Sequence, residues 1–130
     1  MEMTSLAQWT NMTFSPSGKG ILVTMENGIT LVLDSFEGHI LHVFLSEGPT
    51  STTTSEVTLP TFPAVACYTS DDQSILCGNE NGTLSCYDVS TGKLRRKLDG
   101  HVGSRVSCIQ SNPKFAQFAS ACSNVALWLW

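Results

Sequence analysis

The residues of this chain that are best suited to chemistry are its five cysteines, because a thiol can act as a nucleophile, a redox centre or a metal ligand. No two of them are separated by only two residues, which excludes a zinc ribbon and a thioredoxin-like pair. Each stands among apolar neighbours, which is typical of small core residues on strands. A nucleophilic cysteine of a hydrolase is the alternative, and it would require a histidine close to a thiol of lowered pKa. The cysteines are Cys67, Cys77, Cys86, Cys108 and Cys122.

The histidines and paired carboxylates suggest neither catalysis nor metal binding. His39 and His42 are three residues apart, but their segment has the pattern of a β-strand, so we expect their side chains on opposite faces. Asp71 and Asp72 fall where a β-turn is expected, and adjacent carboxylates in a turn are usually solvated. We therefore expect no catalytic residue, no metal site and no cofactor.

One basic cluster, Lys-Leu-Arg-Arg-Lys at residues 93–97, is the remaining charged feature. We expect it to form an outer strand whose charges block edge-to-edge pairing with other sheets. Contact with an acidic partner or with a nucleic-acid backbone is the alternative interpretation.

The composition indicates one small folded domain. The chain has 130 residues, of which 42% are hydrophobic and 14% charged, so it is not a disordered tail. Its net charge of −4 argues against a domain that holds nucleic acid through phosphate contacts, and no apolar run is long enough for a transmembrane helix. The first eight residues lack the basic and apolar regions of a signal peptide. Together with the odd number of cysteines, this indicates reduced thiols inside a cell.

Short apolar runs separated by turn signals predict an all-β fold. Asn27-Gly28 and Asn81-Gly82 are interpreted as hairpin turns in which both residues tolerate a positive φ. A polar stretch rich in Ser and Thr, residues 48–58, predicts a surface loop between two rounds of strands. The predicted strands are Trp9–Phe14, Ile21–Met25, Ile29–Asp34, Ile40–Leu45, Ala64–Thr69, Ser74–Gly78, Thr83–Asp88, Lys93–Leu98, Val106–Gln110, Phe118–Cys122 and Val125–Trp130.

The second round of strands repeats the first at a constant offset of 54 residues. Without the Ser/Thr-rich loop the period falls to about 40 residues, the length of one four-stranded propeller blade. The residues that recur are Ile21-Leu22 as Ile75-Leu76, Glu26-Asn27-Gly28 as Glu80-Asn81-Gly82, Asp34 as Asp88 and Gly38 as Gly92.

Residues 77–93 resemble the centre of a WD repeat, a module of β-propeller proteins. Tyr87-Asp88 stands where Trp-Asp usually stands, and Leu33-Asp34 holds the same place one repeat earlier. Gly100-His101 is similar to the Gly-His that opens the next repeat. The resemblance implies about three four-stranded antiparallel blades of a partial propeller, of which the last is incomplete.

The order of motifs from Trp9 onward is similar to the C-terminal blades of one kind of WD-repeat subunit. That subunit is shared by histone lysine methyltransferase complexes of the COMPASS type and a nuclear phosphatase complex that acts in transcription termination. The similarity includes Asn112-Pro113-Lys114-Phe115, residues 118–124 and Trp128. Lys114-Phe115 departs from the usual Asp-Gly turn, and Leu129 replaces the aspartate expected after Trp128.

The resemblance implies a non-catalytic nuclear scaffold that binds protein partners through propeller loops. The partners would be methyltransferase or phosphatase subunits, with no sequence-specific nucleic acid, membrane or small-molecule substrate. A WD-repeat adaptor of another pathway, such as signalling or ubiquitin ligation, is the alternative. The expected partner-binding residues are Glu26, Asn27, Glu80, Asn81 and Arg105, and the expected structural residues are Asp34, Asp88, His101 and Trp128.

The expected division of the chain is blade one in residues 1–47, the Ser/Thr-rich loop in 48–60, blade two in 61–100 and an incomplete blade three in 101–130. Since a closed propeller needs about four to eight blades, we expect the chain to be part of a longer propeller. We also expect Trp128 and Trp130 to lie near an exposed apolar end, and the isolated chain to self-associate.

Overall fold

The computed structural model of the chain describes residues 8–46, 62–101 and 104–129, and these residues form strands and turns without a helix. The Ser/Thr-rich loop predicted at 48–60 and Trp130 lie outside the described residues. Within that described part, no helix is long and apolar enough to span a membrane. The strands are β1 (Trp9–Phe14), β2 (Gly20–Met25), β3 (Ile29–Asp34), β4 (Ile40–Leu45), β5 (Val65–Tyr68), β6 (Ser74–Gly78), β7 (Thr83–Asp88), β8 (Leu94–Asp99), β9 (Cys108–Ser111), β10 (Gln117–Ala121) and β11 (Val125–Leu129).

The strands form three antiparallel sheets, which confirms the predicted fold class. The first sheet has the order β1-β2-β3-β4, the second β5-β6-β7-β8, and the third β9-β10-β11. The third sheet has three strands among the described residues, as the sequence predicted for the last repeat. The division of the chain into blades at residues 47, 60 and 100 stays a prediction.

The predicted start of the ninth strand at Val106 is wrong by two residues. β9 begins at Cys108 because the N–H of Val106 donates to the carbonyl of Asn79 in the second sheet, 3.2 Å away. The segment before β9 is therefore hydrogen-bonded to the second sheet, and the chain then pairs with β10 in the third sheet.

The second sheet is buried between the other two because alternate residues of its strands face opposite sides. Ile75 packs with Leu22 and Val32 of the first sheet. Its neighbour Leu76 packs on the opposite side with Val106 and Phe118, which belong to the third sheet and its entry segment. Each such buried side chain stabilises the fold by roughly 1.5–3 kcal/mol, so these two layers hold the sheets together.

Aromatic and polar contacts fix the angle between the first and second sheets. The ring of Phe44 stacks on Tyr87 with centroids 4.1 Å apart, and Nε2 of His42 lies 2.7 Å from the carbonyl oxygen of Val89. At the same end of the sheets as Val89, the Ser17 hydroxyl donates to the Asp72 carboxylate over 2.9 Å. The expectation that the Asp71-Asp72 pair is simply solvated is therefore wrong for Asp72.

The outer face of the third sheet carries a row of exposed apolar side chains on β11. Val125, Leu127 and Leu129 have 71%, 70% and 82% of their surface exposed. Trp128 lies on the other face, half-buried, and its ring stacks on Phe118 at 5.7 Å. The expected exposed apolar end exists, but Trp128 does not form it, because strand alternation turns its side chain towards the second sheet.

The two Asn-Gly hairpins differ from their predicted geometry. Gly28 and Gly82 have positive φ values of 81° and 90°, but neither Asn27 nor Asn81 does. In each hairpin the glycine N–H donates back three residues, to the carbonyl of Met25 or of Asn79. A turn of ordinary handedness followed by a left-handed glycine makes a longer hairpin loop than the two-residue turn predicted from the dipeptide.

Candidate partner-binding end of the sheets

Three hairpin turns and two strand entries meet at one end of the sheets, which we call the turn end. It consists of turns 26–28, 79–82 and 122–124 together with segments 62–64 and 104–107. Two equivalent hydrogen bonds assemble it: Ala64 N–H donates to the Met25 carbonyl over 2.9 Å, and Val106 N–H donates to the Asn79 carbonyl over 3.2 Å. These links hold the residues of successive repeats in a fixed arrangement.

Arg105 lies at the turn end with its guanidinium over an aromatic ring. Its Cζ atom is 5.9 Å from the centroid of Phe62, which is buried, whereas Arg105 itself is exposed. An arginine in this position gains a cation–π contact and keeps its N–H donors directed to solvent. Such a group can bind a carboxylate, a phosphate or a main-chain carbonyl of a partner.

The four other predicted binding residues divide into two kinds. Glu26 is exposed and Glu80 half-buried, so both present carboxylate at the turn end. The side chains of Asn27 and Asn81 are instead used within their turns. Oδ1 of Asn27 accepts the N–H of Ile29 at 3.4 Å, and Oδ1 of Asn81 accepts the Thr83 hydroxyl at 2.6 Å. These asparagines hold the shape of the loops and have less capacity to bind a partner.

Gly82 shows how closely the connection after β8 packs against the preceding turn. A Cβ atom at this position would lie 1.6 Å from the carbonyl oxygen of His101, which no rearrangement of a flexible side chain could relieve. The His101 N–H donates to the Gly82 carbonyl over 3.0 Å. The Gly-His pair of the sequence is therefore anchored on the hairpin of the second sheet.

His101 is buried, and its ring joins the third sheet. Nε2 lies 2.8 Å from the hydroxyl of Ser120, which also accepts the indole N–H of Trp128 at 2.9 Å. Nδ1 lies 3.0 Å from Sγ of Cys122. Two of the predicted structural residues, His101 and Trp128, are thus brought together, while Ser120 and Cys122 had no motif that marked them as their partners.

The cysteines differ sharply in their surroundings. Burial raises the pKa of Cys67 to about 11 and that of Cys77 to about 12, so both are protonated at neutral pH. Cys122 is half-exposed, and the N–H of Asn124, with a smaller contribution from the Ser123 hydroxyl, lowers the pKa of its thiol. A lowered pKa beside a histidine is what the hydrolase alternative required of a cysteine.

The predicted structural aspartates cap the outer turns of their own sheets. Oδ1 of Asp88 accepts the backbone N–H groups of Ser90 at 2.8 Å and Thr91 at 3.2 Å, and also the Ser90 hydroxyl at 2.6 Å. Asp34 accepts the N–H of Phe36 at 3.2 Å in the equivalent turn. Both aspartates are half-buried and lie in the turns that lead to the outer strands β4 and β8.

Within residues 8–46, 62–101 and 104–129, no three His, Cys, Asp or Glu side chains come together in a way that could hold a metal ion. His39 lies in the turn before β4 and pairs with Glu37 at 2.8 Å, while His42 contacts the second sheet.

The arrangement of sheets is that of known propellers. The WD40 repeats of RRP9 superpose on 95% of this chain with a TM-score of 0.73 at 14% identity, and the chain covers 36% of that structure. WD repeat-containing protein 82 of Drosophila melanogaster is 32% identical over 121 residues, which is 93% of this chain and 35% of that protein. The chain is similar in sequence to WD-repeat proteins and has the fold of WD40 propeller repeats.

Other comparisons agree with this family. The Arabidopsis thaliana protein ANTHESIS POMOTING FACTOR 1 is 27% identical over 95% of the chain, which covers 34% of its length. No protein-family model matches the sequence. The chain thus spans about a third of the relatives that it matches.

Proposed function

We propose that this WD-repeat chain is a non-catalytic scaffold that presents its turn end to protein partners. The observation that carries the proposal is Arg105, an exposed guanidinium positioned by the buried Phe62 ring and flanked by turns that carry Glu26 and Glu80. Positioning by a rigid ring lowers the entropy that a long side chain loses on binding. The mixed charges suit a peptide that contributes a carboxylate or carbonyl to Arg105 and a basic group to the glutamates.

The partners we propose are subunits of a histone lysine methyltransferase complex of the H3K4 type, of a transcription-termination phosphatase complex, or of both, in the nucleus. The support is the 32% sequence identity with WD repeat-containing protein 82 over 93% of this chain. The motifs of the last repeat of this chain resemble the same kind of subunit. The runner-up is a WD-repeat adaptor of a signalling or ubiquitin-ligase pathway, with the same turn end and other partners.

Affinity capture from nuclear extract tests both parts of this proposal. The bait is the chain with Arg105→Ala, compared with the unaltered chain and with Lys114→Ala. Lys114 is a matched control because it is also exposed and cationic but lies in the β9–β10 turn, at the opposite end of the sheet. We expect Arg105→Ala to weaken capture about tenfold, the effect of a moderate arginine hot spot, and Lys114→Ala to leave it unchanged.

The identity of the captured subunits decides the pathway. Methyltransferase or phosphatase subunits support the proposal, and signalling or ubiquitin-ligase subunits support the runner-up. Equal capture by both alanine variants would show that partners do not use Arg105.

A further inference from the structure

We propose that Cys122 is a thiol-modification site, at which a low-molecular-weight disulfide exchanges with the thiol and breaks its contact with His101. This inference does not depend on the identity of the protein partners. It rests on the geometry of a nucleophile and a potential base that the described residues bring together at the third hairpin turn.

The thiol and the imidazole meet in a fixed arrangement. Sγ of Cys122 lies 3.0 Å from Nδ1 of His101 and accepts the backbone N–H of Asn124 at 3.4 Å. The His101 residue is 5% exposed, and its other ring nitrogen is held by Ser120, so the imidazole has little freedom to turn away from the thiol. Cys122 itself is half-exposed, which gives a small reagent access to sulfur.

One ring tautomer of His101 that fits its hydrogen bonds leaves Nδ1 able to accept the thiol proton. The indole N–H of Trp128 can only donate, so the Ser120 oxygen is the acceptor in that contact. The same oxygen has capacity to accept a second hydrogen bond, from Nε2–H of His101, at their separation of 2.8 Å. In the tautomer in which Nε2–H donates to Ser120, Nδ1 is unprotonated and faces Sγ, the arrangement in which a histidine acts as a general base towards a cysteine.

The exchange is a nucleophilic substitution at a sulfur atom of the small disulfide. Sγ of Cys122 passes its proton to Nδ1 and attacks one sulfur of the small disulfide, forming a new S–S bond while the old one breaks. The leaving thiolate takes the proton from the imidazolium and departs as a thiol. Sγ in the mixed disulfide has no proton to donate, so its hydrogen bond with Nδ1 is lost.

The other cysteines of the described chain lack this combination. Cys67 and Cys77 are kept protonated by burial, and Cys86 is buried. Cys108 is more exposed than Cys122, but no described hydrogen bond or ion pair engages its thiol. If access alone controlled reactivity, Cys108 would react first; if the neighbouring base controls it, Cys122 would.

The test is peptide-resolved alkylation of the 130-residue chain by iodoacetamide over a range of pH, in the folded state and in denaturant. We expect Cys122 to react about tenfold faster than Cys108 at neutral pH in the folded chain, with a pH midpoint below its value in denaturant. His101→Asn should bring the alkylation rate of Cys122 at neutral pH down towards that of Cys108, because the base that takes the thiol proton is removed. A folded-state midpoint equal to or above the denatured one would overturn the proposal, whether or not the variant folds.

A second measurement addresses the exchange. Incubation with oxidised glutathione should place a mixed disulfide on Cys122 and lower the melting temperature of the chain, and a reductant should reverse both effects. Cys108→Ser serves as the matched control and should respond like the unaltered chain. Glutathione found first on Cys108, or a Cys122 adduct without a change in melting temperature, would contradict the proposal.

Discussion

Gly38 and Gly92 occupy equivalent turns of the first and second sheets but differ in the space available for a side chain. Their φ values are 75° and 73°, so any side chain there is strained. A Cβ atom at Gly38 would meet nothing within 4 Å, whereas one at Gly92 would lie 2.5 Å from Nδ1 of His42. The glycine of the second sheet therefore also makes room for a contact between sheets.

We predict that Gly92→Ala destabilises the chain more than Gly38→Ala does. The backbone strain costs about 1–2 kcal/mol at either site. At Gly92 the displacement of the His42 ring should add about 1–3 kcal/mol, the usual cost of overpacking. Urea unfolding of the two variants measures the difference. Equal losses would mean that His42 moves aside freely and does not hold the first two sheets together.

Asp88 gives the stability of the chain a dependence on acid. The hydroxyl of Ser90, followed by the backbone N–H of Thr91, lowers its pKa in the folded chain. A lowered folded-state pKa means that its stabilising contribution is complete above the unfolded-state value and is lost as pH falls through the folded-state value.

We therefore expect Asp88→Asn to melt at a lower temperature than the unaltered chain at neutral pH. The gap should close below about pH 4, the usual range of an aspartate, because the unaltered side chain is then protonated too. Thermal melts at both pH values provide the measurement. A gap that does not change with pH would show that the charge of Asp88 is irrelevant to its turn.

At the scale of elements, the two outer edge strands are protected differently. His42 of β4 and Arg96 of β8 occupy equivalent positions in the pairing with β3 and β7. Leu41 of β4 is therefore equivalent to Arg95 of β8, and Val43 to Lys97. Both apolar residues of β4 are exposed, whereas β8 carries the basic cluster. Charges on an exposed edge oppose pairing with another sheet, which favours the edge-guarding interpretation of that cluster.

The combined substitution Leu41→Arg and Val43→Lys gives β4 the charges of β8, and we expect it to reduce aggregation of the chain without loss of the fold. The reverse combined substitution, Arg95→Leu and Lys97→Val, should increase aggregation. Light scattering at equal concentrations compares the three chains. Unchanged scattering in both directions would mean that association proceeds through the faces of the sheets and not through their edges.

At the scale of the whole molecule, the outer face of the third sheet should control the behaviour of the isolated chain. Val125, Leu127 and Leu129 form an apolar row on one strand, and surfaces of this kind bind other protein or hydrophobic dyes. We predict that the purified 130-residue chain self-associates and binds such a dye.

Replacement of Leu127 by Thr should reduce both effects, because the substitution removes apolar area from the centre of the row. Phe115→Ser is the control, since Phe115 is also exposed but lies in the β9–β10 turn. Analytical ultracentrifugation and dye fluorescence are the two measurements. A monodisperse, dye-silent chain would show that this face is covered in a way that the described residues do not reveal.

The sequence alone determined the strands, their order and the repeat. Apolar alternation and turn residues act over a few positions, so all eleven predicted strands occur, with ends shifted by two residues or fewer. The turns that carry Glu26 and Glu80 were also located from local signals. The backbone form of these turns was not, because Asn-Gly fits more than one hairpin loop.

Only the tertiary structure decided which residues meet. The ring of His101 contacts Cys122, which is 21 residues away in the sequence. The contact between His42 and Val89 spans 47 residues, and that between Ser17 and Asp72 spans 55. Each pair joins different strands or sheets, and its geometry depends on how one sheet is set against the next. A local pattern specifies the face of a strand on which a side chain lies, but the side chain that it touches is set by packing across the interface.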